Sequence, residues 1–431
     1  MFVHIRSLLN TPVDCINVVG TGAITIISVL DVLRYVTYGS LLPVLTIAFV
    51  DLCSILLCVL TVMTHCSPIL ILVVGINLAL GDFMNNRGTA MDNIAFFVIA
   101  GIAFLAACMG SLAMAKGHTK IDLVACRKIL AVLIVLCVTA ATLWQTCMTL
   151  ARDKTQAGPS IWSVPSEFES TSNHPGTVRP LRYRTHAYSS DGREVQKTAY
   201  VYLPFKYDRH KSYDILYLMH GTGDSASYWL KKHPENVHMV DQLIDHRIIK
   251  PMIIVTPSFY VQNDAKDHLD TLTYSFAKEL RRDLMPAVES RYSTYAKKID
   301  DQGFRASRNH RAFAGLSRGA VTTYHSAIEQ NLDYYSWFGT FSGSRTSAHE
   351  FKTTACAYPF STYPIHYLYA SSGSFDFALA GQLNDYRNLL KVDNRLEPGK
   401  NTRFDVFPMR YHSSGNWHLA LYNFLQCIFH N

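Results

Sequence analysis

The segment that most constrains the fold is Arg311–Thr322, which reads RAFAGLSRGAVT. Its apolar first half, Arg311–Leu316, predicts a buried strand, and Arg318–Gln330 predicts a helix. Between them lies a G-x-S-x-G pattern centred on Ser317. In a strand–turn–helix setting, this pattern predicts a sharp turn that exposes the serine hydroxyl at the edge of a sheet. Glycines also flank serines in ordinary loops, so the rest of the chain must supply partners for Ser317.

Composition divides the 431 residues into two blocks. Met1–Leu150 contains long runs without charge, whereas Ala151–Asn431 has the mixed composition of a soluble domain and is long enough to bury its own core. The net charge of +7 is scattered and forms no basic stripe with aromatics, which argues against nucleic-acid binding. No Cys-x-x-Cys occurs, so no zinc framework is expected. Whether Cys356 and Cys427 pair stays open.

The first block predicts four or five membrane spans, because a spanning helix needs about 20 mostly apolar residues. The candidates are Val13–Leu30, Leu41–Met63, Pro68–Met84, Asn93–Ala115 and Ile129–Leu150. The first and third are short and carry Gly and Asn, so either could be re-entrant or tilted. We therefore expect residues 1–150 to contact a lipid bilayer.

Basic residues in short loops predict the orientation of these spans. Lys116, Lys120, Arg127 and Lys128 cluster between the last two candidates, so this loop should be cytoplasmic. The last span then exits, which places everything after Leu150 on the extracytoplasmic side. Residues 151–180, rich in Ser, Thr, Pro and Glu, are typical of a linker.

Residues 181–431 alternate short strands with helices. We predict an antiparallel pair followed by parallel strands, the last element being a helix at about Gly415–Phe429. The expected strands are Arg182–Ser189, Lys197–Leu203, Tyr213–Met219, Pro251–Thr256, Arg311–Leu316, Trp337–Phe341, Ile365–Ala370 and Arg403–Phe407. Such alternation predicts a mostly parallel sheet covered by helices on both faces. The order fits an α/β-hydrolase fold.

A serine hydroxyl needs a base to take its proton and an acid behind the base. In this fold the chain order is Ser, then Asp or Glu, then His. Asp376 follows the strand Ile365–Ala370 and is our predicted acid, in preference to Asp385, which we expect on the solvated face of the next helix. His412 follows the last strand and is the predicted base, in preference to His418 inside the final helix.

An oxyanion hole needs two backbone N–H groups aimed at one point. Arg318, the residue after Ser317, would supply one. Thr222, in the His220–Gly223 turn after the third strand, would supply the other. We expect His220 to be structural, and His325 to point away from the site. The scheme needs no metal or organic cofactor.

Several segments resemble the esterase D and feruloyl esterase group, carbohydrate esterase family one. They read YVYLP, ILYLMHGTGDS, KPMIIVTPS, FAGLSRGA, SSGSFDFA and YHSSGNWHLALYNFL. The resemblance covers about Leu181–Phe429. Members carry a base histidine followed five residues later by Trp, a spacing that His412 and Trp417 match. The resemblance implies Ser317, Asp376 and His412 as the triad, with Thr222 and Arg318 as oxyanion donors.

Two positions depart from the family pattern. Arg318 replaces the more usual Met or Gln, and Ala320 stands where a second Gly is common. Both flank the acyl site, so substrate size and polarity stay open. The leading hypothesis is a membrane-anchored extracytoplasmic serine esterase acting on carboxylic esters, such as acetyl or feruloyl groups on carbohydrate or a cell-envelope glycan. Two alternatives remain: an acyltransferase of the mycolyltransferase type, and a transporter or sensor with a hydrolase-like binding domain.

Overall fold

The computed structural model describes residues 158–161, 163–261, 268–408 and 410–430. All the candidate membrane spans in Met1–Leu150 lie outside these residues. By compactness, Gln156–Phe407 and Asn416–Asn431 form one unit, whereas Pro408–Gly415 groups with Met1–Thr155. Within the described ranges, no helix has both the length and the apolar character needed to cross a bilayer.

Eight strands form one sheet in the order β1-β2-β4-β3-β5-β6-β7-β8. The strands are β1 Thr177–His186, β2 Glu194–Leu203, β3 Asp214–Met219, β4 Met252–Thr256, β5 Arg311–Leu316, β6 Trp337–Phe341, β7 Tyr367–Gly373 and β8 Thr402–Phe407. β1 pairs with β2, and β2 with β4, in antiparallel fashion; every later pairing is parallel. The predicted mostly parallel sheet is confirmed.

Nine α-helices connect or follow these strands in the described part of the chain. They are α1 Glu235–Asp245, α2 Leu269–Glu279, α3 Met285–Glu289, α4 Asp301–Ala306, α5 Arg318–Thr322, α6 Glu329–Asn331, α7 Ala348–Thr353, α8 Leu379–Val392 and α9 Ser414–Leu425. Wider π-helical segments occur at Tyr228–Lys232, Leu280–Leu284 and Thr323–Ile328. Short 3₁₀ turns occur at Ser166–Phe168, Arg308–His310 and Phe360–Thr362.

The central strands are buried on both faces, which explains their unbroken apolar runs. Every residue of β3, β4, β5 and β6 is buried. Alternate side chains of β3 enter different cores: Ile215 and Tyr217 join one cluster, and Leu216 and Leu218 join the other. Helices therefore cover the sheet on both faces, as the sequence predicts.

The first strand begins earlier than expected, at Thr177 rather than Arg182. Phe168 is also buried, with 1% of its surface exposed, and it joins the same apolar cluster as Tyr202 and Tyr422. Part of the segment expected to be a linker therefore packs onto the domain. Val164 is buried in the same cluster, and a composition averaged over 151–180 hides these few apolar residues.

Candidate active site

Ser317 occupies the turn between β5 and α5, with φ 51° and ψ −115°. This backbone region is sparsely populated for residues that carry a Cβ, so the surroundings must hold it in place. The Ser317 N–H donates to the Phe341 carbonyl at the end of β6, at 2.7 Å. The Ser317 carbonyl accepts from the N–H groups of Ala320 and Val321 at 3.0 and 3.2 Å. The sharp turn predicted from G-x-S-x-G is confirmed.

The two glycines of the motif allow this turn because strand and helix cross almost in contact. A Cβ on Gly315 would collide with the backbone of Gly319. A Cβ on Gly319 would lie 2.6 Å from the Met219 carbonyl oxygen of β3. Since real Cβ atoms do not approach so closely, any larger residue would push α5 away from the sheet and move Ser317.

Sheet register brings the turn after β3 beside Ser317. β3 and β5 are parallel neighbours, and Met219 pairs with Gly315. The next residues of both strands therefore leave the sheet at the same edge, where the strand order reverses and α/β proteins bind ligands. Thr222, Ser317 and Arg318 line one cavity of about 510 Å³. The predicted nucleophile and both residues predicted to supply oxyanion donors are thus brought together.

His220 holds the turn after β3 through both ring nitrogens. Nδ1 lies 2.7 Å from the Gly221 carbonyl oxygen, and Nε2 lies 2.8 Å from Ser258 Oγ. The carbonyl can only accept, so Nδ1 carries the proton and Nε2 accepts from the hydroxyl. Burial lowers the pKa of His220 to about 4. His220 is therefore a neutral structural residue at neutral pH, as expected.

Asp376 lies in the turn after β7, where the sequence predicts an acid. Its side chain is buried, and Oδ1 accepts from the Ala378 N–H at 2.9 Å. Oδ2 accepts from Asn416 Nδ2 at 3.3 Å. These donors fix the carboxylate in one orientation, which a residue that orients a partner requires.

Ser342 joins several parts of the site and was not predicted from the sequence. It follows β6, has φ 59°, and its N–H donates to the Ser371 carbonyl at 2.8 Å. Its hydroxyl oxygen accepts from Asn416 Nδ2 at 3.0 Å and from Trp417 Nε1 at 2.9 Å. Asn416 thereby connects Ser342 to Asp376. One signal was available: Ser342 follows a predicted parallel strand, at the edge where Ser317 and Asp376 also lie.

Comparison with known proteins supports an esterase. A family model described as "Putative esterase" matches residues 192–402. Endo-1,4-beta-xylanase Y of Acetivibrio thermocellus is 38% identical over 147 residues, which are 34% of this chain and 13% of that protein. An endo-1,4-beta-xylanase/feruloyl esterase of Xylanibacter ruminicola is 29% identical over 170 residues, covering 38% and 22%. The chain thus spans less than a quarter of the length of each of these two relatives.

Similarity to solved structures also supports an esterase. A mutant feruloyl esterase module from Clostridium thermocellum, complexed with sinapinate, has a TM-score of 0.56 and 27% identity over 64% of this chain and 96% of that one. The described domain is a carboxylic-ester hydrolase. A ferulic acid esterase from the fungus Anaeromyces mucronatus, at 21% identity and a TM-score of 0.50, covers 63% of this chain and 98% of that one, and supports the fold alone.

Asp385 corrects one expectation about this esterase domain. We expected a solvated surface residue, but Asp385 lies in α8, is half-buried and lines the cavity beside Ser317. Its Oδ2 accepts from Ser344 Oγ at 2.5 Å. Burial raises the pKa of the Asp385 carboxyl. Helical spacing places a residue on a face, but only the fold decides that this face of α8 borders the site.

The two alternative histidines both pack inside the esterase domain. His418 is buried, and its Nδ1 lies 2.7 Å from Asn236 Oδ1. His325 is buried, with Nε2 2.8 Å from the Arg345 carbonyl and Nδ1 2.9 Å from a Glu329 carboxylate oxygen. Both rings serve packing and hydrogen bonding in the described domain.

The Arg318 side chain forms part of the cavity rim of the esterase domain. It is 12% exposed and forms an ion pair with Asp270, which also pairs with Arg345 at 3.2 Å. The two guanidinium groups lower the pKa of Asp270. The residue that departs from the family pattern is therefore tied back to α2, and its backbone N–H remains at the start of α5.

His412 lies between β8 and α9, in the segment Pro408–Gly415 that groups with the other unit. Its pairing with Ser317 and Asp376 stays a prediction. Cys356 and Cys427 are both free thiols in the esterase domain. Among the residues described, no group of three or more His, Cys, Asp or Glu side chains could hold a metal ion.

Proposed function

We propose that the whole protein is a membrane-anchored serine esterase that cleaves carboxylic esters through Ser317, His412 and Asp376. The observation that carries the proposal is the strained turn at Ser317, whose side chain shares a cavity with Thr222 and with Arg318. A backbone held in a sparsely populated conformation at a cavity is typical of functional sites.

In the proposed first step, Ser317 Oγ attacks the ester carbonyl carbon while His412 takes the hydroxyl proton. Asp376 keeps the imidazole in the correct tautomer and stabilises the imidazolium that forms. The negative charge that develops on the carbonyl oxygen is bound by the backbone N–H groups of Thr222 and Arg318. The carbon–oxygen bond to the alcohol then breaks, and the imidazolium returns its proton to the leaving alcohol.

In the second step, water loses a proton to His412 and attacks the acyl carbon. The bond to Ser317 Oγ breaks, the serine recovers its proton, and the acid leaves. α5 begins directly after Ser317, and the positive end of a helix favours the same negative charge.

His220 is proposed to orient one of the oxyanion donors. In a planar trans peptide, the C=O of Gly221 and the N–H of Thr222 belong to one rigid unit and point in opposite directions. The hydrogen bond from His220 Nδ1 to the Gly221 oxygen therefore also sets the direction of the Thr222 N–H. Ser258 fixes the ring from the other side.

The proposed substrates are aryl-acyl esters of carbohydrate, with feruloyl esters as the first choice. The support is the similarity to a feruloyl esterase module that was solved with sinapinate, and to xylanases of which one also carries the name feruloyl esterase. The protein would then contact the lipid bilayer through residues 1–150 and would bind an acylated glycan as its substrate.

The test is ester hydrolysis by the full-length chain with methyl ferulate and a short nitrophenyl ester. Ser317→Ala should abolish turnover, by about 10⁶-fold in kcat if the triad acts as a unit. Asp376→Asn should lose on the order of 10⁴-fold, because the imidazole tautomer is wrong. Ser361→Ala, at an exposed serine in a 3₁₀ turn, is the matched control and should keep full activity.

The base assignment is tested by comparing His412→Ala with His418→Ala. Loss confined to His412→Ala supports the triad. Loss confined to His418→Ala in a folded protein would overturn it. Activity that survives Ser317→Ala would show that the nucleophile is another residue.

The location of the protein is proposed from residues 1–150 alone. The apolar runs would anchor the chain, and the basic loop around Lys120 would keep the esterase domain on the extracytoplasmic side. Extraction with alkaline carbonate should leave the full-length chain in the membrane fraction. A protease added to sealed cells should cleave the esterase domain; a fully protected domain would contradict the orientation.

A further inference from the structure

Gly381 has no evident structural reason to be a glycine. It lies in the first turn of α8, and a Cβ built on it would meet no atom within 4 Å. Its φ is outside the positive range that favours glycine, since Gly192, Gly223 and Gly399 are the described glycines with positive φ. Glycine is also a poor helix former. The open space belongs to the cavity beside Ser317, which Gly381 lines.

The wall near Gly381 is apolar and includes an unusually exposed aromatic ring. Leu269, Val321, Phe377 and Ala378 line the cavity, and 80% of the Phe377 surface is accessible to solvent. Aromatic residues bury large apolar areas against other rings, so an exposed one at a cavity marks a surface on which a flat group can pack.

A polar pair lies in the same cavity wall. Ser344 donates to Asp385 Oδ2 at 2.5 Å, and both residues line the cavity. A carboxylate offers about four lone-pair positions, so the bond from Ser344 uses part of its capacity. A half-buried carboxylate facing a cavity is well suited to accept a hydrogen bond from a hydroxyl group of a ligand.

We propose that this cavity binds the acyl group of the ester, that Gly381 admits a planar aryl acyl group, and that Asp385 with Ser344 accepts the hydrogen bond of its hydroxyl. The inference rests on the proposed function. A cavity of about 510 Å³ is large enough for a ring-sized group, whereas a carbohydrate polymer needs open surface. The part of the ester that enters this cavity is therefore the acyl group.

The first experiment fills the space at Gly381 in the full-length chain. Methyl esters of 4-hydroxycinnamate are compared with phenyl acetate for wild type, Gly381→Leu and Gly381→Ala. Gly381→Leu should lower kcat/KM for the hydroxycinnamate at least about tenfold, since a few misplaced methylenes in a pocket cost that much. Acetate hydrolysis should fall several-fold less than hydroxycinnamate hydrolysis in Gly381→Leu, because the acetyl group does not reach the filled space. Gly381→Ala should leave most of the hydroxycinnamate activity.

The second experiment tests the hydroxyl. Asp385→Ala should lower kcat/KM for methyl 4-hydroxycinnamate by about tenfold, but should change methyl 4-methoxycinnamate little, because the ether cannot donate. Ser344→Ala should give a smaller loss with the same selectivity, since it orients the carboxylate. Equal losses for both esters would exclude Asp385 as the hydroxyl acceptor.

Failure of this inference differs from failure of the proposed function. If wild type cleaves acetate through Ser317, but Gly381→Leu affects acetate and hydroxycinnamate equally, the cavity assignment is wrong while the esterase remains. If the loss of kcat/KM in Gly381→Leu depends on the alcohol in a series of acetate esters, the cavity binds the alcohol and not the acyl group. If no ester is cleaved through Ser317, the proposed function itself fails.

Discussion

The two ends of β5 differ in how well their residues are accommodated by the surrounding structure. At its first residue, Arg311 is 1% exposed, yet all five guanidinium N–H groups have acceptors. Two of these bonds reach the Glu289 carboxylate, at 2.8 and 2.9 Å. One residue beyond its last, Ser317 is held with φ 51°. At the first end of the strand every donor of the buried side chain has an acceptor, whereas just beyond the last end the backbone is strained.

This difference shows how a strained site persists. Conformations such as that of Ser317 cost on the order of 1–3 kcal/mol and survive only where the surrounding structure determines them. The β5 backbone pairs on both sides along its length, and Arg311 ties its start to α3 and to the carbonyls of Phe304 and Tyr334. The site end can therefore carry an unfavourable turn without opening the sheet. Four predictions test the comparison.

The largest expected change in the free energy of unfolding is at the first residue of β5, Arg311. Arg311→Leu should lower the free energy of unfolding by about 3–5 kcal/mol, because it leaves Glu289 charged and buried without its partner. Denaturant unfolding measures this change. The double variant Arg311→Leu, Glu289→Leu should recover part of the loss, since both charges are then gone. A loss below about 1 kcal/mol would mean that the charge pair contributes little to holding β5.

The next effect concerns pH at the site end. The unfolded chain binds a proton at His220 near the ordinary pKa of 6.5, whereas burial lowers the pKa to about 4 in the folded protein. The unfolded state thus binds more protons between these values, so this contribution to stability falls as pH decreases from about 6.5 to 4. A shift of that size corresponds to about 3 kcal/mol.

The measurement is the free energy of unfolding at pH 7.5, 5.5 and 4.2 for wild type and His220→Gln. The variant lacks the titrating ring, so it should lose less stability on acidification than wild type does. Parallel curves for the two proteins would refute the assignment of the acid sensitivity to His220.

Strain at Ser317 predicts a smaller change of opposite sign. Ser317→Gly should raise the free energy of unfolding by about 1–2 kcal/mol while abolishing ester hydrolysis, because glycine adopts this backbone region readily. Ser317→Ala keeps the Cβ and is the control: it should lose activity without gaining as much stability. Equal stability of all three proteins would show that the turn is not strained.

The smallest effect is expected at Gly381. Gly381→Ala should stabilise the domain by about 0.4–1 kcal/mol, because alanine restricts the unfolded chain and meets no atom in the folded one. Ala380→Gly, at the neighbouring exposed position, should change stability by a similar amount in the opposite direction. A destabilised Gly381→Ala would reveal a conformational reason for this glycine.

Local pattern predicted much of the fold. The apolar runs of β5 and β6 match the structure residue for residue, because strands buried on both faces leave an uninterrupted signal. The strand–turn–helix setting of Ser317 and the position of Asp376 after β7 were also accessible, since both follow from the order of elements. The early start of β1 at Thr177 was not, because Thr177, Arg179 and Pro180 are exposed and a proline is unusual inside a strand.

The sequence by itself determined the type of sheet, the turn at Ser317 and the short set of residues from which a triad can be drawn. Only the tertiary structure decided that Ser342 and Asn416 support Asp376, that Asp385 borders the cavity, and that Gly381 leaves space there. The reason is that strands and turns follow from neighbours along the chain. Contacts between residues 40 to 74 positions apart depend on how parallel strands are ordered in the sheet.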